Sequence, residues 1–139
     1  MSVKDVRRFW LVFACSWSAC TLAILLFPKQ GVTEVGPSAN AANGKVLFEK
    51  RCTGCHSLDK NKEGPRLEGV YGRKAGSVAD FSYSNELRAA KITWDGPMLD
   101  RWLTNPDEVV RDNDMAFHVS DSKERADIIE FLRVVSSGK

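Results

Sequence analysis

The sequence predicts a small all-α domain behind an N-terminal apolar segment. Three observations carry this. Residues 122–135 place apolar side chains at helical spacing over a broad face, with Ala126, Ile129 and Val134 beside Ile128, Phe131, Leu132 and Val135. No stretch alternates apolar and polar residues over the length of a strand. The 19 residues from Phe9 to Phe27 carry no charge.

The elements follow in order. Lys4, Arg7 and Arg8 form a basic flank over residues 1–8. The uncharged run 9–27 exceeds the ~7–15 residues of a signal h-region and fits the ~17–25 of a spanning helix. Its best small-residue cleavage pattern, Ala39-Asn40-Ala41, lies well beyond the run. An uncleaved transmembrane signal-anchor is therefore expected, with the basic flank inside and the rest outside. The alternative is a cleaved leader. Cys15 and Cys20 read as small apolar residues of that span. Residues 28–42 hold two Pro and two Gly without apolar periodicity and read as a flexible linker, whose ends would lie roughly 20 Å apart.

A globular domain is expected over residues 43–139. Asn43 is placed as the cap of a first helix, in which Leu47 pairs with Arg51 and Phe48 with Cys52. A short helical stretch falls within 81–90, after a Ser/Asn start. Residues 97–104 set Met98, Leu99, Trp102 and Leu103 on one side, with Pro97 in the first turn. Asn105-Pro106 stops that helix or starts the next turn. Ser122 is placed as the cap of the last helix.

Charge narrows the function classes. The whole chain is formally +2, but residues 43–139 hold 16 basic and 16 acidic side chains. No basic stripe appears, which argues against nucleic acid as a partner. Four cysteines in two close pairs do not make a disulfide framework.

The chemistry sits in Cys52-Thr53-Gly54-Cys55-His56. Cys-x-x-Cys-His is the attachment signal for a covalent c-type haem. Two thiols on one turn can add to the haem vinyl groups, and the adjacent imidazole then reaches the iron. Given four Cys and two His in 139 residues, about 0.001 chance matches are expected. A zinc site would need four ligands from Cys52, Cys55, His56 and His118. A thioredoxin-type dithiol would need a βαβ pattern, which is absent. Met98, Met115 and His118 compete for the second axial position. Met98 reads as core. Met115 lies in the polar loop Arg111-Asp112-Asn113-Asp114 with no packing reason to be there, and His118 is its rival. A small loop-rich domain needs a staple, which a buried haem supplies.

With these landmarks in place, residues 43–135 resemble the class I cytochromes c, of the mitochondrial cytochrome c and bacterial cytochrome c2 type, in a membrane-anchored bacterial form. The resemblance rests on Gly44 and Phe48 facing Ile128 and Phe131, Gly64-Pro65, Tyr71-Gly72-Arg73-Lys74, Phe81-Ser82-Tyr83, Ile92-Thr93-Trp94, and Asn105-Pro106 before Met115. It implies three to five helices wrapped around one haem, and His56 and Met115 as iron ligands. It further implies that the Pro65 carbonyl accepts from His56, that Arg73, Tyr83 and Trp94 bind the propionates, and that Phe117 lies by the exposed haem edge. The implied role is single-electron transfer without catalysis. The implied partners are a cytochrome bc1-type donor and a terminal oxidase or reaction-centre acceptor, on the periplasmic side of the inner membrane. A fixed subunit of an oxidase or dehydrogenase complex is the alternative, and a peroxidase or gas sensor would need an open sixth position. The chain departs from the family at several points. Arg111-Asp112-Asn113-Asp114 stands where Pro-Gly-Thr-Lys is common, with Asn113 as a stand-in for the Thr hydrogen bond. Asp107, Glu108 and Asp114 replace lysines, Leu87 replaces a polar residue, and His118 a small one.

Overall fold

A computed structural model describes residues 38–138. The predicted span 9–27, its basic flank and most of the linker lie outside the described residues. Among the described residues no helix is long and apolar enough to cross a membrane.

Among the described residues five helices follow in order: α1 (Ala41–Arg51), α2 (Asn85–Ala89), α3 (Gly96–Thr104), α4 (Pro106–Val109) and α5 (Ser122–Ser137). Among the described residues extended pairing is limited to one bridge, Lys74 to Thr93. The all-α expectation holds.

Two helix starts differ from the sequence reading. The α1 cap is Asn40, whose side chain accepts from the backbone N–H groups of Ala42 and Asn43. Asn43 lies inside the helix. Both asparagines are good caps, but only the earlier one also leaves its backbone N–H free to reach α5. The α5 cap is Asp121 rather than Ser122, with its carboxylate accepting from Glu124 N–H at 2.9 Å. An ionised cap makes the stronger hydrogen bond to a helix N-terminus. Asp95 caps α3 in the same way, with Pro97 in the first turn.

The crossing of α1 on α5 anchors the domain. Gly44 sits beneath the Asp127 carbonyl, and the rings of Phe48 and Phe131 lie 5.3 Å apart, tilted by 49°. Ile128 and Leu132 continue this face into a core shared with Leu99, Trp102 and Leu103 of α3. Arg125 ties the remaining side together. Its Nε donates to Asp100 at 2.7 Å, and its Nη1 donates to the carbonyls of Val119 and Ser120. The loop 110–121 is thereby fixed at its far end to both α3 and α5.

Asp127 is almost fully buried and clamps the chain's entry into the domain. It accepts from Asn40 N–H at 2.7 Å and from Lys123 Nζ. Burial pushes its carboxyl up, but those hydrogen bonds and the Lys123 charge outweigh it and hold the carboxyl below the usual range. A depressed carboxyl stabilises the fold above its unfolded value near ~3.9, and that contribution is lost as pH falls through the folded value. Asp127→Ala strands the Asn40 N–H. It should cost about 1–3 kcal/mol at neutral pH, or roughly 10 °C in Tm for a domain of this size. The gap to wild type should narrow below about pH 4. Thermal melts at pH 7 and pH 3 check this; an equal gap at both pH values would remove the carboxylate from the account.

Candidate cofactor site

The last turn of α1 runs directly into the cysteine motif. Cys52 N–H bonds the Phe48 carbonyl at 2.8 Å, and His56 N–H bonds the Cys52 carbonyl at 2.8 Å. Thr53 Oγ donates to the Glu49 carbonyl, and the Lys62 ammonium donates to the carbonyls of Thr53 and Gly54. A cation on these terminal carbonyls suits the negative end of the helix. The turn brings Cys52, Cys55 and His56 to the wall of one cavity of about 410 Å³.

The imidazole is fixed from below. Its Nδ1–H donates to the Pro65 carbonyl at 2.8 Å. A carbonyl only accepts, so Nδ1 carries the proton and Nε2 keeps its lone pair. Burial, set only partly against by that hydrogen bond, holds His56 below its usual value, so the neutral form prevails. Gly64 gives the ring its place: a Cβ there would lie 2.3 Å from His56 Cε1. Burial also pushes the Cys52 thiol up to about 11, so it stays protonated at neutral pH.

Met115 enters the same cavity from the loop after α4. Asn113 shapes that loop with both ends of its amide. Its Nδ2 donates to the Asp107 carboxylate and the Val110 carbonyl, and its Oδ1 accepts from Met115 N–H, all at 2.8 Å. Asn113 thus braces the loop through both ends of its amide. Asp112 takes φ = +54°, a left-handed position that Asp tolerates better than most residues. The Trp102 indole N–H donates to Met115 Sδ at 3.0 Å. Trp102 is itself held edge-on against Trp94, with ring centroids 5.1 Å apart.

The structure brings together all nine site residues named from the sequence. Cys52, Cys55, His56, Pro65, Arg73, Tyr83, Trp94, Met115 and Phe117 line this one cavity. His118 and Met98 do not line it; His118 is exposed, and Met98 packs against the core. Arg73 is more occupied than the sequence suggested: two of its nitrogens already donate to the carbonyls of Glu68 and Arg66. Burial pushes the Tyr83 phenol up, so it keeps its donor proton. Sequence reading missed Trp102, because a Trp at helical spacing beside Leu99 and Leu103 looks like core. Its obligate N–H donor was the available signal.

These residues fit a covalently held haem. The volume suits a cofactor-sized ligand. Its walls are apolar, from Phe48, Leu67, Leu99, Leu103, Ile128 and Leu132. The two thiols are free, and the Trp94 indole forms part of the wall. A nitrogen and a thioether donor converge from separate elements. Fold and site together define a small helical electron carrier with one c-type haem.

The chain belongs to the cytochrome c family: the family model described as Cytochrome c matches residues 41–136. It is 41% identical to a cytochrome c of Euglena viridis over 69% of this chain and 97% of that protein. It is 38% identical to one from Arabidopsis thaliana, over 73% of this chain and 94% of that protein. Cytochrome cH from Methylobacterium extorquens superposes with a TM-score of 0.66 at 40% identity, covering 69% of this chain and 99% of that one. Cys52, Cys55, His56 and Met115 are the residues that would hold the haem c this family carries, and its iron would supply one-electron redox chemistry.

Proposed function

We propose that this chain is a membrane-tethered shuttle that carries single electrons between membrane-bound respiratory or photosynthetic complexes, and that it catalyses no reaction of its own. The observation that carries the second half is the convergence of His56 and Met115 on one cavity. Cys52 and Cys55 hold the haem in covalent linkage. His56, oriented by Pro65, and Met115, oriented by Asn113 and Trp102, would hold the iron through a nitrogen and a thioether donor. With the imidazole and the thioether both engaged, a substrate or a gas would have to displace one of these two side chains. Thioether ligation also favours a higher reduction potential than a second imidazole would. Arg73, Tyr83 and Trp94 offer donors to the propionates, a guanidinium, a phenol and an indole each matching a carboxylate.

The uncharged run 9–27 behind Lys4, Arg7 and Arg8 supports the tether. That topology puts the haem domain on the periplasmic side of the cytoplasmic membrane, within reach of a bc1-type donor and an oxidase or reaction-centre acceptor. Fractionation of cells producing the full chain tests it. The haem-staining 15.5 kDa band should stay with membranes through a salt wash and leave them in mild detergent. Release into the soluble periplasmic fraction would overturn the tether, and elution only as part of a stable larger complex would replace the shuttle by a fixed subunit. Reduced protein should not bind carbon monoxide; binding would reopen the enzyme or sensor reading.

A further inference from the structure

The mouth of the cavity has a definite chemical character. Its centre is apolar: Ala116 and Phe117 line the cavity and reach the surface, Phe117 with 38% exposure. Aromatic residues are enriched at the centres of protein interfaces. Around this centre the charges are uneven. The cavity-lining guanidinium of Arg51 is paired with Glu124 at 2.7 Å. The two lining carboxylates that reach solvent, Glu63 and Asp114, have no ion-pair partner among the described residues. Asp107, Glu108 and Asp112 extend the second of these along the Met115 side, also exposed and without ion pairs. The Asn113 bond to Asp107 fixes this acidic stretch against the ligand loop. Arg111 interrupts this acidic stretch in the chain, the lining Arg73 is turned onto the carbonyls of Glu68 and Arg66, and the Lys62 ammonium onto those of Thr53 and Gly54.

We propose that this mouth, an apolar centre around Phe117 inside a carboxylate rim, is the docking face for a redox protein whose own cofactor-bearing surface is cationic. This rests on the electron-carrier reading and adds the sign of the partner. Complementary charge raises the encounter rate and fixes orientation more than it adds affinity. A brief, oriented contact is what a shuttle requires.

Two small oxidants of opposite charge test the rim on the full holoprotein. Oxidation of the reduced protein by a trivalent cobalt(III) amine cation should slow several-fold as ionic strength rises from about 0.01 M to 0.5 M, over which the Debye length contracts from ~30 Å to a few ångströms. Oxidation by ferricyanide should show the opposite trend. In the shape-conserving variant Glu108→Gln/Asp112→Asn/Asp114→Asn the cobalt dependence should fall by at least half. The control Glu49→Gln/Asp59→Asn/Glu86→Gln, which removes as many charges outside the cavity lining, should retain it. A binding readout accompanies this: hexalysine should shift the amide resonances of Glu63, Asp114 and Phe117 selectively at low salt. If neither oxidant reacts, the carrier reading fails. If both react without opposite trends, if both variants respond alike, or if hexalysine shifts are spread over the surface, the docking face alone is overturned.

Discussion

Met115→Ala is expected to convert a closed haem centre into an open one. The substitution removes the donor that reaches the cavity from the 110–121 loop. The ferric protein should lose the weak thioether-to-iron absorption near ~695 nm, and the ferrous protein should gain carbon monoxide binding. The reduction potential should fall on the order of 0.1 V or more, a modest part of the ~0.8 V that axial ligands span. Trp102→Phe separates ligation from its tuning. It keeps the ring in the core but deletes the 3.0 Å hydrogen bond to Met115 Sδ. A donor on sulfur withdraws electron density, and the ferric iron feels that loss more than the ferrous iron does. Losing the bond should therefore lower the potential. At about 1 kcal/mol for the bond, and 59 mV per tenfold change in equilibrium constant for one electron, the drop should be ~40 mV, with the absorption band retained. Persistence of the band in Met115→Ala would remove Met115 as ligand. An unchanged potential in Trp102→Phe would make the indole mere filling.

The parts of this site that the sequence made legible are the local ones. Cys52, Cys55 and His56 are within five residues, and their spacing on one helical turn carries the chemistry without any knowledge of the fold. Met115 was readable because a thioether in a polar loop is out of place. What depends on contacts across the chain was harder. Asp100 lies 25 residues from Arg125 in sequence, and nothing local pairs them. Asp127 reads as a solvated position on α5, yet it is buried because Asn40, 87 residues earlier, needs its oxygen. That same long-range bond explains why α1 is capped by Asn40 and not by Asn43. The choice between two good caps was made by tertiary structure, which local propensity does not contain. Trp102 hides for a related reason: whether an indole is core or a hydrogen-bond donor to a ligand depends on where a loop 13 residues away returns.

Gly44→Ala should be among the most destabilising single changes in the domain, although alanine is the better helix former by about 1 kcal/mol. A Cβ at this position would lie 1.9 Å from the Asp127 carbonyl oxygen, 2.6 Å from its carbon and 2.8 Å from Phe131 Cβ. Two of the three obstacles are backbone, so no rotamer change removes them. The helices must separate or slide, which opens the Phe48–Phe131 contact and strains the Asn40–Asp127 bond. Forced overpacking costs typically 1–3 kcal/mol, and loss of the buried clamp adds about 1–3 kcal/mol. Set against the ~1 kcal/mol gained in propensity, a net loss of roughly 1–5 kcal/mol is expected, a large share of the 5–15 kcal/mol by which a domain is ordinarily stable. Gly54→Ala supplies the comparison. It lies between the two cysteines, yet no atom stands within 4 Å of its would-be Cβ and its φ is not left-handed. Its midpoint should move by no more than about 0.5 kcal/mol. Denaturant titrations of the two holoproteins decide the matter. If Gly44→Ala unfolds at the wild-type midpoint, α1 and α5 do not cross this closely. If Gly54→Ala matches the loss at Gly44, glycine at 44 is needed for something other than the approach of two backbones.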